Sequence, residues 1–334
     1  MIGIPNLQPG SQDIELYIDQ HDGLPIKTQT LEDHPVSGDS KVEVLFQHWI
    51  QFNEINSPKV LTYRFNGKII NSELYIGRHY LKASAITEND LFDFPIELVE
   101  QSVNHEAFSF GLRTSFWLYR HLATGISFDL DTSNVFIQPL SYQANAYHII
   151  GSTHHNLLIE RKKGLILIGT SLHNERSDVV LKAIKKKFPK KSINYIVPKH
   201  LHTDHIGGLR QYVANGGSLI AAQGTEAALR NILTAPHTLY PDQFSKSKIN
   251  VADIAIETVA EASALLLKQG SETLFKENIM SSSKPDDMIF INVPNIHSLY
   301  NLVVYLPYSQ TLFVSDVYIP TPLVENCHIE NAIH

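Results

Sequence analysis

Cysteine is almost absent. Cys327 stands alone in 334 residues, so no disulfide can form within the chain, and nothing in it calls for an oxidising compartment. A basic excess is missing too: the formal charge is −7, which counts against a broad phosphate-binding face and so against nucleic acid as a partner. No apolar run approaches the ~18 residues that cross a bilayer. The opening MIGIPNLQPG has neither the basic start nor the apolar core of a secretion signal. These absences set the expectation of a soluble, cytoplasmic protein with no membrane partner, or a periplasmic one if a segment precedes Met1.

What is present is ordinary globular stock, 43% hydrophobic and 18% charged. The length exceeds the roughly 100–200 residues of one domain, so more than one unit is expected. Residues 1–40 are rich in Gln, Asp, Pro and Gly without clear periodicity and are expected to form an irregular lead-in. Residues 41–138 carry short apolar runs such as Val42–Trp49, Val60–Phe65 and Asn134–Ile137 between turn residues, which predicts a β-rich N-terminal accessory region. Asn66-Gly67 between two such runs is a type I′ hairpin signal. Within residues 90–104, Leu91, Phe94, Leu98 and Val99 fit a helical face.

Residues 139–334 are more regular. Tyr147–Ile150, Leu157–Glu160 and Leu165–Ile168 predict successive strands, with a hairpin turn at Lys162-Lys-Gly164. Ser177–Phe188 predicts an amphipathic helix with Val180, Ala183, Ile184 and Phe188 inward, stopped by Pro189. Ser192–Val197 reads as a strand, 207–214 as a helix, Ser218–Ala222 as a strand and Thr225–Leu233 as a helix. Alternation of this kind suits helices layered on a sheet.

The densest chemistry lies at His200-Leu-His202-Thr-Asp204-His205, where four metal-ligand side chains fall within six residues. Neutral imidazoles and a carboxylate suit zinc, whose catalytic sites keep a position open for water. A β-branched strand precedes the motif and Gly207-Gly208 follows it, so it is delivered at a strand end and not scattered over a surface loop.

HLHTDH followed by IGGL resembles the HxHxDH signature of the metallo-β-lactamase superfamily. The likeness runs over roughly residues 140–320, through Gly151–Glu160, Gly164–Ile168, Glu175-Arg-Ser, Lys187-Phe-Pro189 and Gly208–Ala214. Downstream, His297 and Asp316 resemble the family's third metal histidine and its bridging aspartate. The resemblance implies a four-layer αββα sandwich carrying one or two Zn2+ per chain. His200, His202 and His297 would hold one ion, Asp204 and His205 a second, with Asp316 between two ions roughly 3.5–4 Å apart. It implies a zinc-dependent hydrolase in which metal-bound hydroxide cleaves an ester, thioester, lactone or amide bond of a small molecule. Asp204 would have a catalytic part as well, orienting the attacking group and shuttling its proton.

Two features depart from the family pattern. The chain ends at His334, a short way past Asp316, whereas the family closes its second site with a histidine several tens of residues beyond the bridging aspartate, inside a last strand and helix. Either that closing segment is missing from the sequence, or the second site is incomplete. Gly169 also stands where many relatives have a supporting acid. Two other functions therefore stay open: phosphodiester or nucleic-acid cleavage on the same fold, and a catalytically silent zinc-binding or scaffold protein. His154 and His155 are taken as a buried or capping pair outside the site, and His328 and His334 as tail residues. The Lys185–Lys187 run is taken as cations at a helix C-terminus, and Asp286-Asp287 as part of a turn.

Overall fold

A computed structural model of the chain describes residues 2–4, 14–52, 55–75, 135–152, 154–261, 263–267, 274–275, 284–295, 297–314 and 316–317. The helical face proposed at Leu91–Val99 lies outside these residues, as do Cys327, His328 and His334. The described strands up to Leu74 form one compact unit, and the residues from Val135 onward, together with 35–38, form another.

The N-terminal unit is a six-stranded sheet in simple sequential order: β1 (Ile2–Ile4), β2 (Ile14–Ile18), β3 (Pro25–His34), β4 (Gly38–Phe52), β5 (Ile55–Phe65) and β6 (Lys68–Leu74). Strands β2, β3 and the start of β4 occupy residues expected to be an irregular lead-in. Polar stretches such as Lys27-Thr28-Gln29-Thr30 interrupt their apolar residues on a sheet buried only in part, so the apolar signal is dilute. Asn66 (φ +48°) and Gly67 (φ +79°) both take the left-handed conformation that a type I′ hairpin demands, and they join β5 to β6.

The second unit begins with a seven-stranded mixed sheet. In chain order its strands are β7 (Phe136–Leu140), β8 (Gln143–Ile150), β9 (Asn156–Glu160), β10 (Leu165–Ile168), β11 (Ile193–Val197), β12 (Ser218–Ala222) and β13 (Ile256–Val259). Strands β7 to β10 pair antiparallel and β10 to β13 parallel, with helices crossing between the parallel strands. These helices are α1 (Asn174–Lys187), α2 (Thr203–Ile206), α3 (Leu209–Val213) and α4 (Glu226–Thr234), followed by a short α5 (Gln243–Lys246). Lys185, Lys186 and Lys187 occupy the last turn of α1, where cations complement the helix dipole. A five-stranded antiparallel sheet follows in the order β15, β14, β16, β17, β18. Its strands are β14 (Ala264–Leu267), β15 (Leu274–Phe275), β16 (Met288–Asn292), β17 (Leu302–Leu306) and β18 (Thr311–Phe313).

Alternation along the strands sorts their side chains into two cores. Leu158, Leu165, Leu167, Ile196, Leu219 and Ala221 face the helices, meeting Val180, Ile184, Leu209, Tyr212, Leu229 and Ile232. Leu157, Ile159, Ile166, Ile168, Val197, Ile220 and Ala222 face the other way, against Leu265, Leu267, Phe290, Leu302 and Val304 of the second sheet. Strands buried on both faces read as unbroken apolar runs, which is why LILI and SLIAA are legible as strands. Each fully buried aliphatic side chain contributes about 1.5–3 kcal/mol. The result is an α/β fold with helices on a sheet on a second sheet, so the described residues build three of the four expected layers. Among the described residues, no helix is long and apolar enough to cross a membrane.

Candidate metal centre

Strand pairing decides which loops meet. Ile168 is paired with Leu157 in β9 and with Val197 in β11, so the residues just before 157 and those just after 168 and 197 emerge at one edge of the first sheet. In the second sheet, Phe313 pairs with Val304, bringing the chain after β18 to the same end as the chain before β17. The backbone N–H of Leu302 donates to the Lys199 carbonyl oxygen (2.7 Å), tying the two edges together. Residues 151–152, 154–155, 169–172, 198–205, 297–301, 314 and 316 thus share one edge of the sandwich.

The motif itself is held by backbone contacts. His202 is the N-cap of α2, its carbonyl accepting from the N–H groups of His205 (2.9 Å) and Ile206 (3.0 Å). The Leu172 N–H donates to the Asp204 carbonyl (2.8 Å), the Gly208 N–H to that of Thr170 (2.9 Å), and the Thr170 hydroxyl to that of His205 (3.0 Å). Gly207 and Gly208 are required by this closeness. A Cβ on Gly207 would lie 1.8 Å from the Leu172 carbonyl oxygen, and one on Gly208 would lie 2.0 Å from the Ser177 hydroxyl. The helix expected from 207 to 214 forms as α3 (Leu209–Val213), after the glycine pair, and α2 adds a separate short helix over the motif itself.

Behind the motif, Arg210 of α3 is almost wholly buried. Its guanidinium donates to the carbonyls of Ile232 (3.1 Å) and Ala235 (3.3 Å) and to that of Leu233, at the C-terminal end of α4 where carbonyls run short of helical partners, and it pairs with Asp242. Burial pushes the Asp242 carboxyl up, but Arg210 and Ser245 outweigh it and hold the group below the ordinary carboxylate range.

Six side chains singled out by the sequence gather at the shared edge. His200, His202, His297 and Asp316 bring four donor atoms within 4.8 Å of one another. The Asp316 Oδ2 lies 3.0 Å from His297 Nε2, 3.7 Å from His200 Nε2 and 2.9 Å from His205 Nε2. Asp204 and His205 form a second group whose third member is His154, again with all three donor atoms within 4.8 Å. His154 Nε2 stands 3.0 Å from Asp204 Oδ2, and its ring meets that of His205 edge-on at 4.7 Å between centroids.

The sequence reads His154 as a buried or capping residue outside the site, whereas the structure places it among the donors. The signal that could have found it is topological: an N-terminal flank of β9 must lie beside the C-terminal ends of β10 and β11 once the three strands pair. His155 goes elsewhere, its ring lying edge-on to His148 at 4.7 Å. Asp286 sits in a turn, accepting from the Asn145 side chain (2.8 Å). At Gly169 (φ +93°) the backbone stands where an acid would be, and its carbonyl accepts from the Asn156 amide (2.7 Å).

The electrostatics suit a cation. Burial, with His205 next, lowers the His200 imidazole to about 2, and burial lowers that of His205 to about 4 against the pull of Asp316. Both rings are therefore neutral at pH 7, with nitrogen lone pairs available. Burial raises the Asp316 carboxyl, but contacts from His205 and His297 prevail and keep it ionised well below the usual range. Buried Lys199 is lowered to about 8 by desolvation, with Asp316 and Asp204 opposing that fall. Neutral imidazoles with carboxylate oxygens are a donor set that zinc accepts, so the residues present fit a divalent ion.

Residues 151–226 match the metallo-beta-lactamase superfamily. A search of curated proteins found no match to the chain. Among solved structures, a metallo-beta-lactamase from Pontibacter korlensis is similar at 16% identity, covering 59% of this chain and 79% of that one with a TM-score of 0.39. The metallo-beta-lactamase FIM-1 from Pseudomonas aeruginosa, in its mono-zinc form, is similar at 16% identity over 52% of this chain and 65% of its own, with a TM-score of 0.34. DIM-1 metallo-beta-lactamase gives 14% identity over 59% and 77%, with a TM-score of 0.39. Likeness this low leaves the functional reading to the site's own residues.

Proposed function

We propose that this chain, which carries the metallo-beta-lactamase superfamily match at residues 151–226, is a metal-dependent hydrolase that uses zinc to cleave an ester, thioester, lactone or amide bond of a small molecule. The observation that carries the proposal is the meeting of His200, His202, His297 and Asp316 from three separate segments, with Asp204 and His205 beside them. Structural packing alone gives no reason to concentrate neutral imidazoles around an ionised carboxylate at a strand-end edge.

Bound zinc would supply Lewis acidity toward the oxygen under attack and a lower pKa for water. His200, His202 and His297 hold their nitrogens toward one point, and the Asp316 carboxylate lies between them and His205. Asp204 orients the attacking water and accepts its proton, then returns that proton to the departing oxygen, sulfur or nitrogen. Asn156 and Thr170 keep the surrounding loops fixed through their bonds to Gly169 and His205, so the donor atoms need little rearrangement. Substrate choice lives in loops beyond these residues.

A panel of esters, thioesters, lactones, amides and phosphodiesters, assayed with and without added zinc, tests the proposal. Turnover of a carbon-centred substrate that is lost in His202→Ala and on chelation is the expected outcome. Activity indifferent to both would overturn it, and turnover confined to phosphodiesters would redirect it.

A further inference from the structure

We infer that His154, with Asp204 and His205, holds a second divalent ion beside the one assigned to His200, His202 and His297, the Asp316 carboxylate lying between the two. The inference rests on the metal reading above, but it assigns a ligand to a strand flank far upstream of the HxHxDH motif.

Spacing argues for coordination over simple support. Two donors on one tetrahedral zinc, each bonded at about 2.0–2.1 Å, lie roughly 3.3 Å apart. The distances from Asp204 Oδ2 to His154 Nε2 (3.0 Å) and to His205 Nε2 (3.6 Å) bracket that value. The 3.0 Å contact is also of hydrogen-bond length, and what adds to it is that the His154 donor lies within 4.8 Å of the His205 donor too, so the three donor atoms stand around one small space. Asp316 Oδ2, at 2.9 Å from His205 Nε2 and 3.0 Å from His297 Nε2, stands at donor spacing from members of both groups. The second group thereby gains two nitrogens and two carboxylates, a complete zinc set, from described residues alone.

His154 is also presented by a built turn. Its backbone N–H donates to the Ser152 hydroxyl (3.1 Å), which donates in turn to the His154 carbonyl (2.6 Å), and the imidazole is only 10% exposed.

Metal content of the full chain, measured by elemental analysis after zinc loading and graded chelation, is the test. The wild type is expected to hold two ions per chain and His154→Ala one, with the remaining ion lost in His202→Ala. If His154→Ala keeps both ions within the roughly 10–100-fold weakening caused by losing a merely orienting partner, the inference is overturned. A wild type with one ion, unchanged in His154→Ala, overturns it while leaving the metal reading intact; a wild type with none defeats both. Should His154→Ala fail to fold, cobalt-loaded His154→Cys decides through a readout independent of activity. A thiolate-to-cobalt charge-transfer band absent from the wild type is expected, and a spectrum without that band overturns the assignment.

Discussion

The two donor groups at the sandwich edge differ in how the chain supplies them. His200 and His202 come from one loop, but His297 and Asp316 arrive from the second sheet, so that group exists only when both sheets are stacked. The group of His154, Asp204 and His205 draws on the first sheet alone, from the flanks of β9 and β11. One group reports on the joint between sheets, the other on pairing within a sheet. Asp316 is the exception that couples them, because its Oδ2 faces His205 as well as His297.

Breaking that coupling should give the largest effect. Asp316→Asn removes the charge facing both groups, and is expected to abolish turnover and lower zinc retention at both positions, as measured by elemental analysis. The support behind the motif comes next. Breaking the buried pair with Asp242→Ala leaves the Arg210 guanidinium uncompensated and should destabilise the fold by about 3–5 kcal/mol in urea titration. The pH dependence follows from the same contact. Because the Asp242 carboxyl is held below its ordinary value of 3.8, its contribution to stability is present above that pH and is lost as pH falls below it. Wild-type urea midpoints should therefore drop on acidification below about pH 4 more steeply than those of Asp242→Ala.

Gly207→Ala tests the fit of the motif against the 169–172 loop. Its methyl would collide with the Leu172 carbonyl, so a loss of about 1–3 kcal/mol is expected, together with weaker zinc retention in the group of His154, Asp204 and His205. At the small end, Asp178→Ala removes the exposed pair with Lys182 and a long hydrogen bond from the Gln211 amide (3.4 Å). A change of no more than about 0.5 kcal/mol and no change in metal content are expected.

The same contrast explains what the sequence made legible. Strands β9 to β12 announce themselves because both of their faces are buried, which forces nearly every position to be apolar. HLHTDH is legible because its donors are local, and the Asn66-Gly67 turn because only left-handed conformations close it. His154 was not legible. Its place depends on three strands pairing, and an isolated histidine among 17 carries no local mark of that. The strands within residues 1–40 escaped for a different reason: a sheet with modest burial needs few apolar residues, so strands with polar runs resemble irregular chain. The break between α2 and α3 follows from backbone closeness at Gly207 and Gly208, which no periodicity in the sequence records.

The most direct measurement of the central claim is zinc binding by isothermal titration to the wild-type chain freed of metal, compared with His202→Ala. Saturable, stoichiometric binding that the substitution removes from one position is the expected result. Heats no different from buffer, in a chain whose circular dichroism shows it folded, would contradict the assignment of this edge as a metal centre.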